Sequence, residues 1–150
     1  MNLQYIRTER SGQLLVGNSD HHHPEYADPD HYLDKADDAF IETAVEKVDR
    51  LLPRLPAPGL AYSYAGCYDV TPDFNPIIGE SPIEGLYLCA GFSGHGFKIS
   101  RAVGMLVAEI MCGGLGLDAD ILASDFALER FEEGRLLRGR HPYRAAAQMR

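Results

Sequence analysis

One stretch constrains this chain more than any other: Gly85 to Gly104, GLYLCAGFSGHGFKISRAVG. Leu86 to Ala90 is short and wholly apolar, the composition of a strand covered on both faces. Gly91, Gly94 and Gly96 make the residues that follow a loop whose backbone can approach a ligand closely. From Lys98 onward, Ile99, Ala102, Val103, Leu106, Val107, Ile110 and Met111 recur at helical spacing, the stripe of an amphipathic helix. Strand, glycine loop and helix N-terminus together offer N–H groups and a positive dipole end to an anion or an electron-rich heterocycle. GFSGHG matches neither GxxxxGK(S/T) nor GxGxxG, so spacing alone leaves a plain strand-to-helix connection equally open. His95 and Lys98 tilt the reading toward a ligand. A loop needed only for turning has no use for an imidazole and an ammonium beside glycines.

At 150 residues the chain has the length of one domain and can bury a core. Its 45% hydrophobic and 24% charged content is ordinary for a soluble globular protein. No apolar run approaches the roughly 18 residues of a membrane span, and the polar N-terminus does not read as a signal peptide. A net charge of −8 argues against nucleic acid or an anionic membrane as a partner. Cys67, Cys89 and Cys112 are scattered, odd in number and set among apolar residues. Reduced thiols in a cytoplasm suit them better than disulfides or a zinc site.

In chain order, Leu3–Arg7 and Leu14–Val16 form a predicted hairpin about Ser11-Gly12. Residues 18–30 are polar, with Pro24 and Pro29, and read as a loop. Asp37–Leu52 is a predicted helix striped by Ile41, Ala44, Val45, Val48 and Leu52, opened by acids and closed by Pro53. After a proline-rich connector, Leu60–Val70 alternates like a strand. Residues 71–82 read as turns around the apolar pair Ile77-Ile78. The strand, glycine loop and long helix follow, stopped by Gly113-Gly114. The RFEEGRLLRGR segment reads as an exposed or partly ordered tail.

AGFSGHGFK with its apolar helix, and YDVTPDFNPIIG upstream, resemble the C-terminal part of the FAD-dependent amine oxidoreductases. These form the D-amino-acid oxidase superfamily; the likeness is to its sarcosine oxidase and dimethylglycine dehydrogenase branch. It runs from about Tyr5 to Phe131, and AGFSGHGFK is highly specific to that branch. Members are more than twice as long and begin with a Rossmann βαβ unit bearing GxGxxG, a pattern absent from these residues. The resemblance therefore implies the last third of such an enzyme, as a fragment or one piece of a split protein. It implies an α+β fold. Residues 1–82 would be part of a substrate domain with an antiparallel sheet and a helix. Residues 83–114 would be the last strand, loop and helix of a Rossmann-like FAD domain, and 115–150 a tail.

The function so implied is oxidation of the C–N bond of an N-methyl or secondary amino acid to an imine, by hydride transfer to FAD, followed by hydrolysis. The alternative is a non-catalytic piece that docks onto a separate FAD-binding polypeptide; a small anion-binding module is a third reading. Self-association or a partner chain is expected, and the isolated chain is expected to be inactive and to hold FAD weakly.

The resemblance also assigns roles. Lys98 would hold the substrate carboxylate, an exposed lysine without a role being the alternative. Gly91, Phe92, Ser93, Gly94, His95, Gly96 and Phe97 would bring backbone N–H groups to the flavin's pyrimidine edge, where negative charge collects on reduction. His95 would line that wall or be a structural histidine. Tyr68 would cage the substrate amine or serve as sheet packing. Gly66 matches the position at which monomeric sarcosine oxidases attach FAD through a cysteine. Cys67 lies one residue later, on the opposite face of a strand, which makes non-covalent FAD the expectation and Cys67 a packed thiol. Leu15 replaces a lysine that lies near the flavin in those oxidases, which admits a dehydrogenase or a slow oxidase. His21-His22-His23, with Asp20, Glu25 and His31, reads as a solvated loop in preference to a metal site.

Overall fold

The computed structural model describes residues 4–18, 26–56, 59–114 and 121–139. The chain divides into two compact units, Met1–Cys67 and Tyr68–Arg150. The first opens with the expected hairpin: strands β1 (Gln4–Thr8) and β2 (Leu14–Asn18) pair antiparallel, with Tyr5 opposite Gly17 and Thr8 opposite Leu14. Its turn is closed by Glu9 N–H to Gln13 O at 2.8 Å and Gly12 N–H to Glu9 O at 3.0 Å. The Tyr5 ring lies across Gly17, and a Cβ at residue 17 would sit 1.9 Å from its Cζ. Helix α1 (Asp38–Leu51) rests on β2. The Asp37 carboxylate caps it by accepting the Phe40 N–H at 2.7 Å. Val48, from the sequence stripe, is its buried residue.

The second unit holds a second antiparallel pair, β3 (Ile77–Glu80) and β4 (Tyr87–Ala90). Helix α2 (Gly96–Met111) follows, and then two short 3₁₀ helices, Ala123–Phe126 and Leu128–Arg130. Strand β3 packs against α2 and both 3₁₀ helices, with Ile78 and Leu106 as the buried apolar residues. Helices and small antiparallel sheets make the fold α+β. No helix among the described residues is long and apolar enough to cross a membrane.

Several sequence expectations need correction. Leu60–Val70 forms no strand; among the described residues its backbone bonds include Ala65 N–H to Asp34 O at 2.9 Å and Ser93 N–H to Asp69 O at 3.1 Å, with no ladder. Alternation reports which way side chains would face, but a strand also needs a neighbour to complete its ladder, and no described segment supplies one. Tyr62, Tyr64 and Val70 are consequently exposed. Ile77-Ile78, read as part of a turn region, begins β3. The strand expected at Leu86–Ala90 begins at Tyr87 and is not covered on both faces: Tyr87 and Leu88 are half-buried, Cys89 and Ala90 exposed. All three cysteines are free and exposed, so Cys67 is not a packed thiol. The tail segment is ordered around Arg130, which has no exposed surface. The histidine run at 21–23, with Asp20 and Glu25, lies outside the described residues; His31 is exposed, its Nδ1 3.1 Å from Asp28 Oδ2.

Candidate functional site: the glycine loop and its frame

The loop from Gly91 to His95 makes its turn through three residues of positive φ. Gly91, Ser93 and Gly94 have φ of 71°, 50° and 81°. Gly91 has a second reason to be glycine, since a Cβ there would stand 2.5 Å from the Thr71 methyl carbon. Ser93 adopts a left-handed conformation without being glycine and is fully buried, a strained state that persists only where surroundings hold it.

Those surroundings are the segment from Asp69 to Asn75, which ends in a turn at 72–74. Asp69 accepts the Gly91 N–H on Oδ2 at 2.7 Å and the Ser93 N–H on its backbone carbonyl at 3.1 Å. Thr71 donates its N–H to Ser93 Oγ at 3.2 Å, and its hydroxyl oxygen lies 3.4 Å from the same atom. The Thr71 hydroxyl also meets Asp73 Oδ1 at 3.3 Å and donates to Asn75 O at 2.8 Å. A turn at 72–74, closed by Phe74 N–H to Thr71 O at 3.1 Å, brings Asp73 and Asn75 back onto Thr71.

Asp73 in turn meets Arg130, 57 residues later. Nε donates to Oδ2 at 2.9 Å and Nη2 to Oδ1 at 3.1 Å, the bidentate arrangement that suits guanidinium and carboxylate. The remaining Arg130 donors reach the carbonyls of Phe126, Ala127 and Asn75 at 2.9, 3.2 and 2.8 Å. The Phe131 ring centroid lies 4.0 Å from Cζ. Asp73 also accepts the N–H groups of Asn75 at 3.0 Å and Leu137 at 3.1 Å. Both charges are buried, and both are fully provided with partners.

Burial by itself pushes the Asp73 carboxyl upward, but the Arg130 guanidinium and the N–H groups of Leu137 and Asn75 outweigh it and hold the group below its ordinary 3.8. The ionised form is thus favoured by folding. Its contribution is complete above the unfolded-state value and drains away as pH falls through the lower folded-state value. Urea midpoints of the chain are therefore expected to be level near neutrality and to fall below about pH 4, and Asp73→Asn is expected to flatten that fall. An unchanged acid slope in the variant would remove Asp73 from the account.

The loop leads directly into α2, whose N-terminus has no side-chain cap. The N–H groups of its first turn find no acceptor within a helix. Among the described residues, the N–H groups of Phe92 and Gly94 also have no acceptor. An electron-rich edge placed here would meet several donors and the dipole's positive end. That donor set suits a flavin's pyrimidine side, although the N–H groups of Gly91, Ser93 and His95 are already engaged within the chain.

Lys98 is exposed in the first turn of α2, and Phe97 beside it is 97% exposed. His95, by contrast, is buried at 4%. Tyr68, 54% exposed, immediately precedes Asp69 in the same unit, whereas Gly66 belongs to the other unit and is exposed. The sequence reading named the loop but missed Asp69, Thr71, Asp73 and Arg130, which hold it. TPDFN carried a usable signal, because Asp and Asn two apart favour a side-chain-closed turn, here with Phe74 at φ 58°. Nothing local marks Arg130.

Residues 2–110 match the family model described as "FAD dependent oxidoreductase" (DAO). The chain is 30% identical over 133 residues to a sarcosine oxidase subunit beta from Rhizobium meliloti (strain 1021), an alignment spanning 89% of this chain and 30% of that protein. It is 30% identical over 102 residues to a D-amino acid dehydrogenase of Neisseria gonorrhoeae, covering 68% of this chain and 24% of that one. The crystal structure of L-proline dehydrogenase from P. horikoshii superposes with a TM-score of 0.65 at 29% identity, over 87% of this chain and 33% of the other. The chain thus spans 24% to 33% of the length of these relatives. With the family match covering most of the chain, and a strand, glycine loop and uncapped helix at its centre, this chain belongs to the FAD-dependent oxidoreductases of the DAO family.

Proposed function

We propose that this chain supplies the flavin-facing loop and substrate-anchoring lysine of an enzyme that oxidises the C–N bond of an amino acid, with N-methyl or secondary amines as the substrate class. The observation that carries the reading is the α2 N-terminus, uncapped by any side chain and preceded by a loop fixed in shape. The names of its relatives support the substrate class: sarcosine, D-amino acids and L-proline all place a C–N bond beside a carboxylate. Bound FAD supplies the two-electron acceptor. The chain's own residues would divide the remaining work. N–H groups of Phe92, Gly94 and the first turn of α2 would face the flavin and stabilise charge gained on reduction. Lys98 would hold the substrate carboxylate, and Tyr68 would border the amine. His95 would line the loop side. Residues 83–114 would belong to the FAD domain and 1–82 to the substrate domain, with FAD held non-covalently.

A second reading has its own support, since the Rhizobium relative is named a subunit. In it, the chain docks onto a separate polypeptide carrying the rest of the FAD site. The two readings share one expectation: the purified 150-residue chain, incubated with FAD, emerges from desalting without stoichiometric flavin. A yellow chain retaining one flavin per molecule would overturn the need for further sequence. A longer polypeptide containing this segment is expected to retain FAD and to oxidise sarcosine or proline faster than amines lacking a carboxylate. Flavin retention with no amino-acid oxidation would sink the substrate assignment.

A further inference from the structure

Arg130 and Asp73 lie outside the loop, yet the contacts between them and the loop form one unbroken series. The guanidinium fork fixes the Asp73 carboxylate. That carboxylate meets the Thr71 hydroxyl, and the hydroxyl meets Ser93 Oγ. Ser93 is the residue held in a left-handed conformation with no exposed surface. Arg130 also binds the Asn75 carbonyl, which the Thr71 hydroxyl bonds as well. The turn at 71–75 is therefore gripped from the far side by the segment around Arg130 and grips the loop on its near side. We infer that the Arg130–Asp73 pair, acting through Thr71, is a positioning element that sets the glycine loop in its ligand-facing shape. This inference rests on the proposed flavin-facing role of the loop. The geometry of the series itself does not.

A lysine at 130 would keep the charge but lose the fork, and with it the simultaneous hold on both Asp73 oxygens and the Asn75 carbonyl. The test is amide hydrogen exchange by NMR on the flavin-free 150-residue chain, comparing Gly91 and Ser93 with the interior amides of α2 in the same unit. Arg130→Lys is expected to speed exchange at Gly91 and Ser93 by roughly tenfold or more relative to Leu106 and Val107. Parallel acceleration of loop and helix would show a pair serving overall stability alone and would overturn the inference. So would an unchanged loop. If Arg130→Lys does not fold, Thr71→Val severs the middle of the series and is expected to give the same selective signature, with the same two outcomes against it. In a flavin-retaining polypeptide containing the segment, Arg130→Lys is further expected to make the flavin's midpoint potential more negative, as loop donors lose their alignment; an unmoved potential would count against the inference. Failure of the unsubstituted polypeptide to take up flavin would sink the proposed function instead, leaving the exchange experiment to decide the positioning role.

Discussion

Replacing Arg130 by methionine is expected to lower the stability of the chain by about 3–5 kcal/mol, because a buried carboxylate is left without its counter-charge. Typical domains have only about 5–15 kcal/mol in hand, so this variant should approach the limit of folding. The Asp73 carboxylate would keep the N–H groups of Leu137 and Asn75, which moderates its loss. Asp73→Leu should be the more damaging of the two, since arginine cannot shed its charge as a carboxyl can. The combined Asp73→Leu, Arg130→Met chain should recover much of the deficit, because two buried charges then disappear together. Urea unfolding followed by circular dichroism measures all four corners of this cycle. A loss below about 1 kcal/mol for either single change would place the pair with exposed salt bridges and contradict its burial.

In a complete enzyme containing this segment, Lys98→Met is expected to raise KM for amino-acid substrates by about ten- to a hundredfold. A charge-assisted contact to a carboxylate is worth roughly 1.5–3 kcal/mol. Amines without a carboxylate should lose much less, since for them no partner charge has gone. Flavin content should stay constant, because the loop's contacts to it would come from backbone N–H groups that the substitution leaves in place. Equal losses for both substrate types would refute the carboxylate assignment, and lost flavin would move Lys98 to cofactor binding. The position itself invites the test. A cation in the first turn of a helix opposes the dipole and so does little for stability.

What could be read from the sequence was local. The β1–β2 hairpin announces itself through Ser11-Gly12, α1 through its stripe, its opening acids and Pro53, and α2 through its stripe and the two glycines that follow it. The glycine loop was legible as a strand-to-helix turn and as a family signature. Its frame was not. Asp69, Thr71 and Asp73 look like ordinary turn residues until the loop is folded onto them, and Arg130 sits in a stretch whose charges resemble a solvated tail. The failure at Leu60–Val70 has the opposite cause: its alternation is real, but pairing is a property of two segments and cannot be read from one.

The 57-residue separation of Asp73 and Arg130 also imposes an order of events on folding. Helix α2 and the β3–β4 hairpin need only neighbours, and such elements form within microseconds. The carboxylate of Asp73 must instead wait for a distant stretch of chain to return, against the entropy of closing a long loop. On a ribosome, adding residues at about 5–20 per second, Asp73 emerges seconds before Arg130 exists. During that interval the nascent chain can own a finished helix beside a glycine loop that Asp69 and Thr71 can reach but that nothing yet braces through Asp73. In the role proposed for the loop, competence to receive a ligand would then arrive late, timed by the return of Arg130.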